Sequence, residues 1–111
     1  KPMVKVAFSD DAGATFSSPA VVDGGKPIGW PAIVLLDDGA AAVTWLESIA
    51  GGAGEIRLRR VGRDGRAGPV ALVAHAPAGR STGIPQMVRS GDALIVAWRD
   101  GSVKSARMAL P

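Results

Sequence analysis

Few side chains in this sequence of 111 residues carry catalytic or ligating chemistry, and they are scattered. There is one histidine, His75, with no cysteine and no tyrosine. A single imidazole without thiolates excludes the common zinc sites. The lack of cysteine also excludes disulfides and leaves the compartment open. A triad can be assembled on paper from Ser81, His75 and Asp100, but no serine sits in a nucleophile elbow. His75, beside Ala76 and Pro77, reads as a loop residue. Gly51-Gly52-Ala53-Gly54 opens no helix and so makes no phosphate cradle. The densest polar cluster is Ser9-Asp10-Asp11-Ala12-Gly13-Ala14-Thr15-Phe16. Asp11 there is either a catalytic acid or metal ligand, or a turn residue. The turn reading is favoured, because Ser9, Asp11 and Thr15 can all bond back to local backbone while Gly13 takes positive φ.

The elements around these residues read as short strands. Hydrophobic residues make up 47% of the chain, with 15 glycines and 8 prolines punctuating runs of Val, Ile, Leu and Ala. That combination predicts an all-β chain. Strands are predicted at 4–8, 19–22, 31–36, 41–46, 55–61, 69–74, 85–88, 93–98 and 102–108. Asp37-Asp38-Gly39 is expected to form a type I′ hairpin turn. Ser48 to Gly54 reads as a mobile loop, and Asp23 to Pro27 and His75 to Thr82 as connectors. No sustained i, i+3, i+4 pattern occurs, so no helix longer than one turn is expected. No apolar run approaches the ~20 residues that span a bilayer. Lys1-Pro2-Met3 opens no signal-peptide pattern.

The net charge is +3. Aromatic residues are only 5% and do not interleave with the basic ones, so a nucleic-acid surface is not expected. In Ile56-Arg57-Leu58-Arg59-Arg60 the alternation puts Arg57 and Arg59 on one strand face. The expectation is a solvated or edge-protecting face.

Two parts of the chain repeat one another. Gly29-Trp30-Pro31 recurs as Gly83-Ile84-Pro85, an offset of 54 (29 to 83), and Trp45 recurs as Trp98, an offset of 53 (45 to 98). Val4, Val6 and Gly13 recur as Ile56, Leu58 and Gly65, an offset of 52 (4 to 56). A four-stranded unit repeating at roughly 40–50 residues is the pattern of a β-propeller. By alternation and recurrence, Trp45 and Trp98 are expected to be core wedges. Trp30, beside Pro31, is a packing residue or a sugar-stacking one.

Ser9, Asp11, Gly13, Thr15 and Phe16 fill all five specified positions of Ser-x-Asp-x-Gly-x-Thr-(Trp/Phe). The stretch resembles the Asp-box (BNR repeat) motif of sialidase-type β-propellers, a match confined to eight residues. The resemblance implies antiparallel four-stranded blades of a six-bladed propeller, here a partial ring of about two blades. Residues 1–25 would supply the last two strands of one blade, 26–75 a complete blade, and 76–111 three strands of a further one. The Asp-box would be structural, on the rim away from the ligand, with Phe16 folded into the layer between sheets.

The ligand face would then be built by 24–30, 47–54, 75–82 and 99–102, which offer Lys26, Trp30, Glu47, Ser48, His75, Arg80, Ser81, Arg99 and Asp100. Of these, Trp30, Glu47, Arg80 and Arg99 are the candidate ligand-binding residues. Sialidases clamp the substrate carboxylate with three arginines and use a Tyr nucleophile activated by a Glu, with an Asp acid/base. Glu47 stands where the supporting Glu would. Trp30 or Ile84 stands where the Tyr would.

With no Tyr in the chain, the resemblance implies a noncatalytic, extracytoplasmic module that binds a glycan or a protein. Two alternatives stay open: part of a sialidase or other glycoside hydrolase whose remaining catalytic residues lie outside this segment, or a scaffold alone. No cofactor is implied. Incomplete outer blades imply pairing with another chain, as a homo-oligomer with a trimer favoured, or with missing blades of a larger propeller.

Overall fold

The computed structural model describes residues 2–79, 82 and 84–111. The chain is all-β, with nine strands among the described residues: β1 Lys5–Val6, β2 Ala20–Val21, β3 Pro27–Leu35, β4 Ala41–Ser48, β5 Ala53–Val61, β6 Ala71–Pro77, β7 Gln86–Ser90, β8 Ala93–Asp100 and β9 Ser102–Ala109. A 3-10 turn spans Ala50–Gly52 between β4 and β5. The strands form three antiparallel sheets, ordered β1-β2, β3-β4-β5-β6 and β7-β8-β9. None closes into a barrel.

The central sheet is covered on both sides. Ala41, Val43 and Trp45 of β4 pack with Val61 against Val4, Val6 and Val22 of the first sheet. The alternate residues Ala42 and Leu46, with Ile56 and Leu58 of β5, pack towards Leu94, Val96 and Trp98 of the third. This two-sided burial is why Ala41-Ala42-Val43-Thr44-Trp45-Leu46 is a continuous apolar run rather than an alternating one. The sequence repeat is also spatial. Trp45 and Trp98 both lie on the second strand of their sheet and face the preceding sheet, 0% and 7% exposed.

Several sequence-based expectations are corrected. The first two strands are two residues each, not 4–8 and 19–22. Side chains replace ladder rungs there: Val4 N donates to Asp23 Oδ1 at 2.7 Å, and Phe8 N to Ser17 Oγ at 2.9 Å. The third strand starts at Pro27 rather than Pro31, because a register shift between Ile28 and Ala32 lets pairing continue past Pro31, which has no N–H.

The turn at Asp37-Asp38-Gly39 is not type I′. Only Gly39 takes positive φ, at 85°. Gly39 N donates to Leu36 O and Leu36 N to Ala40 O, at 3.0 and 2.8 Å. This is a type I turn closed by a glycine bulge, which leaves Asp38 free to accept from Ala40 N at 3.1 Å. His75 lies within β6 opposite Glu55, not in a connector. Ser48, Ala53 and Gly54 are strand residues, so the expected mobile loop shrinks to the 3-10 turn.

Arg57 and Arg59 do share a face, but it is neither solvated nor an edge. Both are half-buried at the junction of the first two sheets. Arg59 donates to Val22 O at 2.8 Å and Gly68 O at 2.6 Å. Arg57 pairs with Glu55 at 2.7 Å and reaches Glu47 at 3.7 Å. Carbonyls at the ends of short strands lack ladder partners, and a guanidinium satisfies them.

Candidate functional site

The Asp-box loop is closed by its own side chains. Ser9 Oγ donates to Asp11 Oδ1 at 2.8 Å and accepts from Gly13 N at 2.8 Å. Thr15 donates twice to Asp11, from its backbone N at 2.9 Å and from Oγ1 at 2.5 Å. Bonds to the ionised form hold the Asp11 carboxyl down at about 2, the Thr15 side chain contributing most, then its backbone N–H, then Ser9. This network holds Ala12 at φ 58°, unusual for a residue with a Cβ. Phe16 does not enter the layer between sheets; it is 65% exposed. Arg63, from the β5–β6 turn, occupies that side instead. It stacks 5.1 Å from the Phe8 ring centroid and pairs with Asp10.

At the opposite end of β3 lies an open trough of about 1260 Å³. Met3 and Lys5 line it from the first sheet, Trp30 from β3, and Ile84, Gln86 and Arg99 from the last part of the chain. Trp30 is placed by the bulge. Gly29 takes φ 69°, and Pro31 follows without an N–H, so the indole is turned out of the sheet. It is 70% exposed, the reverse of Trp45 and Trp98.

Glu47 lies beneath, not in, this trough. Its side chain is 3% exposed. Oε1 accepts from Gly24 N at 2.9 Å and Trp45 Nε1 at 2.7 Å, and Oε2 from Lys26 N at 2.6 Å. The carboxylate thereby fastens the connector between the first two sheets. A Cβ at Gly24 would come within 2.8 Å of Arg57 Nη1, so the tip of that arginine would have to shift.

Of the four candidate ligand-binding residues, the fold brings Trp30 and Arg99 into one trough and sets Glu47 apart; Arg80 lies outside the described residues. His75 on β6 and Asp100, paired with Lys104 at 3.4 Å, do not line the trough, and Ser81 lies outside the described residues. Sequence reasoning missed Met3, Lys5 and Gln86. The alternation of buried Val4 and Val6 around Lys5 was the available signal for that residue.

Among the described residues no helix is long and apolar enough to cross a membrane, and no three His, Asp or Glu side chains converge as a metal site. No known family, curated protein or solved structure matches the chain.

Proposed function

We propose that the chain is a noncatalytic segment of a sialidase-type Asp-box β-propeller. It binds a glycan or protein ligand at the trough, outside the cytoplasm. The observation that carries the binding reading is Trp30: a 70% exposed indole turned out by a bulge, in a trough shared with Arg99. An exposed tryptophan offers a flat apolar face with a polar N–H at its edge. Support for the propeller comes from the three successive antiparallel sheets, their recurring tryptophans, and the bonding inside the Ser9–Phe16 loop.

Against turnover by this chain stands its lack of any tyrosine, together with Glu47, whose oxygens are already occupied. The reading extends to assembly. β9 pairs only with β8 among the described residues, and its free edge would take a strand from a neighbouring chain in a homo-oligomeric ring.

A glycan-array screen of the chain and its Trp30→Ala variant tests the binding reading. The chain should retain a defined set of glycans and the variant should lose them. Equal retention by both would place binding elsewhere.

A further inference from the structure

The charges of this chain are distributed unevenly. Every one of its carboxylates has a partner. Asp10, Asp37, Asp38, Glu47, Glu55, Asp64, Asp92 and Asp100 face arginines or Lys104. Asp11 is held by Ser9 and Thr15, and Asp23 by the N–H groups of Val4 and Gly25. Arg59 spends its guanidinium on two carbonyls. Among the described residues this leaves Lys5, Lys26 and Arg99 without any side-chain partner.

All three are exposed. Lys5 and Arg99 line the trough around Trp30, and Lys26 directly precedes Pro27, which also lines it. No carboxylate lines that trough. Among the described residues the uncompensated positive charge is therefore gathered where the exposed indole is, and a concave site lined by one sign of charge concentrates the opposite ion.

We propose that the trough binds a linear polyanionic polysaccharide, with acid groups on successive sugars meeting Lys5, Lys26 and Arg99 while one sugar stacks on Trp30. This rests on the binding reading above and adds the ligand's class. The three cations come from different parts of the fold: β1, the connector before β3, and β8. Such a spread suits several anions along a chain better than one carboxylate in a bidentate clamp.

A peptide is disfavoured because β3, the edge strand here, is interrupted by the Gly29 bulge and by Pro31, so its edge cannot template a regular added strand. Single-stranded nucleic acid is disfavoured because stacking platforms use successive aromatics, and Trp30 is the only aromatic lining the trough.

Calorimetric titration decides it, with galacturonate oligosaccharides and heparin-derived oligosaccharides as carboxylated and sulfated probes. Dextran, polyglutamate and oligothymidylate are the comparators. A galacturonate hexasaccharide should bind at least about tenfold tighter than the monosaccharide, a difference of ~1.4 kcal/mol. Affinity should fall as salt rises from about 50 to 200 mM. Lys5→Gln, Lys26→Gln and Arg99→Gln, all at exposed positions, should each weaken binding about three- to fivefold and flatten the salt dependence.

Tighter binding of the heparin probe would assign the sulfated class, and of the galacturonate probe the carboxylated class. Trp30-dependent binding of dextran without salt dependence would overturn the polyanion inference and leave the binding reading intact. So would equal affinity for mono- and hexasaccharide. Preference for polyglutamate or oligothymidylate would replace the sugar by an acidic peptide or a nucleic acid. Binding of no anionic glycan at all would also overturn it.

Discussion

Trp45 Nε1 donates to Glu47 Oε1 at 2.7 Å, whereas Trp98, its counterpart in the repeat, has a buried Nε1 with no acceptor. The acceptor lies two residues on in the first case, and the equivalent position in the second is Asp100. Asp100 is one methylene shorter and turns to Lys104 at 3.4 Å. An unsatisfied buried donor costs about 1–3 kcal/mol, far more than an exposed ion pair returns. Asp100→Glu is therefore expected to stabilise the chain by about 1 kcal/mol, raising the melting temperature by roughly 4 °C. A lower melting temperature would show that the longer carboxylate does not reach the indole.

Glu47 is expected to act on stability rather than on binding. Its carboxylate accepts three N–H donors and faces Arg57. Glu47→Gln turns one acceptor oxygen into a donor facing an N–H, at a cost of about 3 kcal/mol in chemical denaturation. Ligand affinity of the folded fraction should be unchanged. A variant of wild-type stability that no longer binds would move Glu47 into the ligand site.

Acid should expose the Asp-box. Asp11 ionises at about 2 in the folded chain against an ordinary 3.8. A depressed carboxyl contributes stability that is fully present above 3.8 and is lost as pH falls towards 2. Asp38, lowered chiefly by its bond from Arg60, adds to the loss in the same direction. Asp11→Asn should be less stable at neutral pH, and its melting temperature should fall less steeply between pH 4 and 2. Parallel melting curves for variant and parent across that range would remove Asp11 from the account.

The all-β character was legible because Gly and Pro punctuate short apolar runs; β4, β5, β8 and β9 cover the predicted strands, whereas β6 starts at Ala71 and runs on to Pro77 through residues expected as a connector. What was not legible had side-chain causes. The first sheet is cut to two rungs because Asp23 and Ser17 take over backbone donors, which no alternation pattern reveals. Arg57 and Arg59 look like surface residues in a basic run, yet they satisfy Glu55 and two stranded carbonyls. At the trough, Trp30 and Arg99 could be named from repeat and topology. For Lys5 the alternation with Val4 and Val6 signals exposure but not a place in the trough, because its neighbours there come from sheets distant in sequence.

Assembly is open to direct measurement. The free edge of β9 carries Val103, 80% exposed. Light scattering of the purified chain is expected to give a multiple of its 11.3 kDa mass, with a trimer before a dimer. A folded monomer of that mass that persists on dilution would contradict edge pairing between copies.

Trp30 makes the central claim readable without any substitution. Of the three tryptophans it alone is exposed, at 70% against 0% and 7%, so acrylamide quenching of the intrinsic fluorescence reports almost entirely on Trp30. The measurement is that quenching with and without a glycan or protein retained by the chain. Binding at the trough predicts that a saturating ligand protects the accessible fluorescence while the buried fraction stays constant. A bound ligand that leaves quenching unchanged would contradict the trough as the functional site.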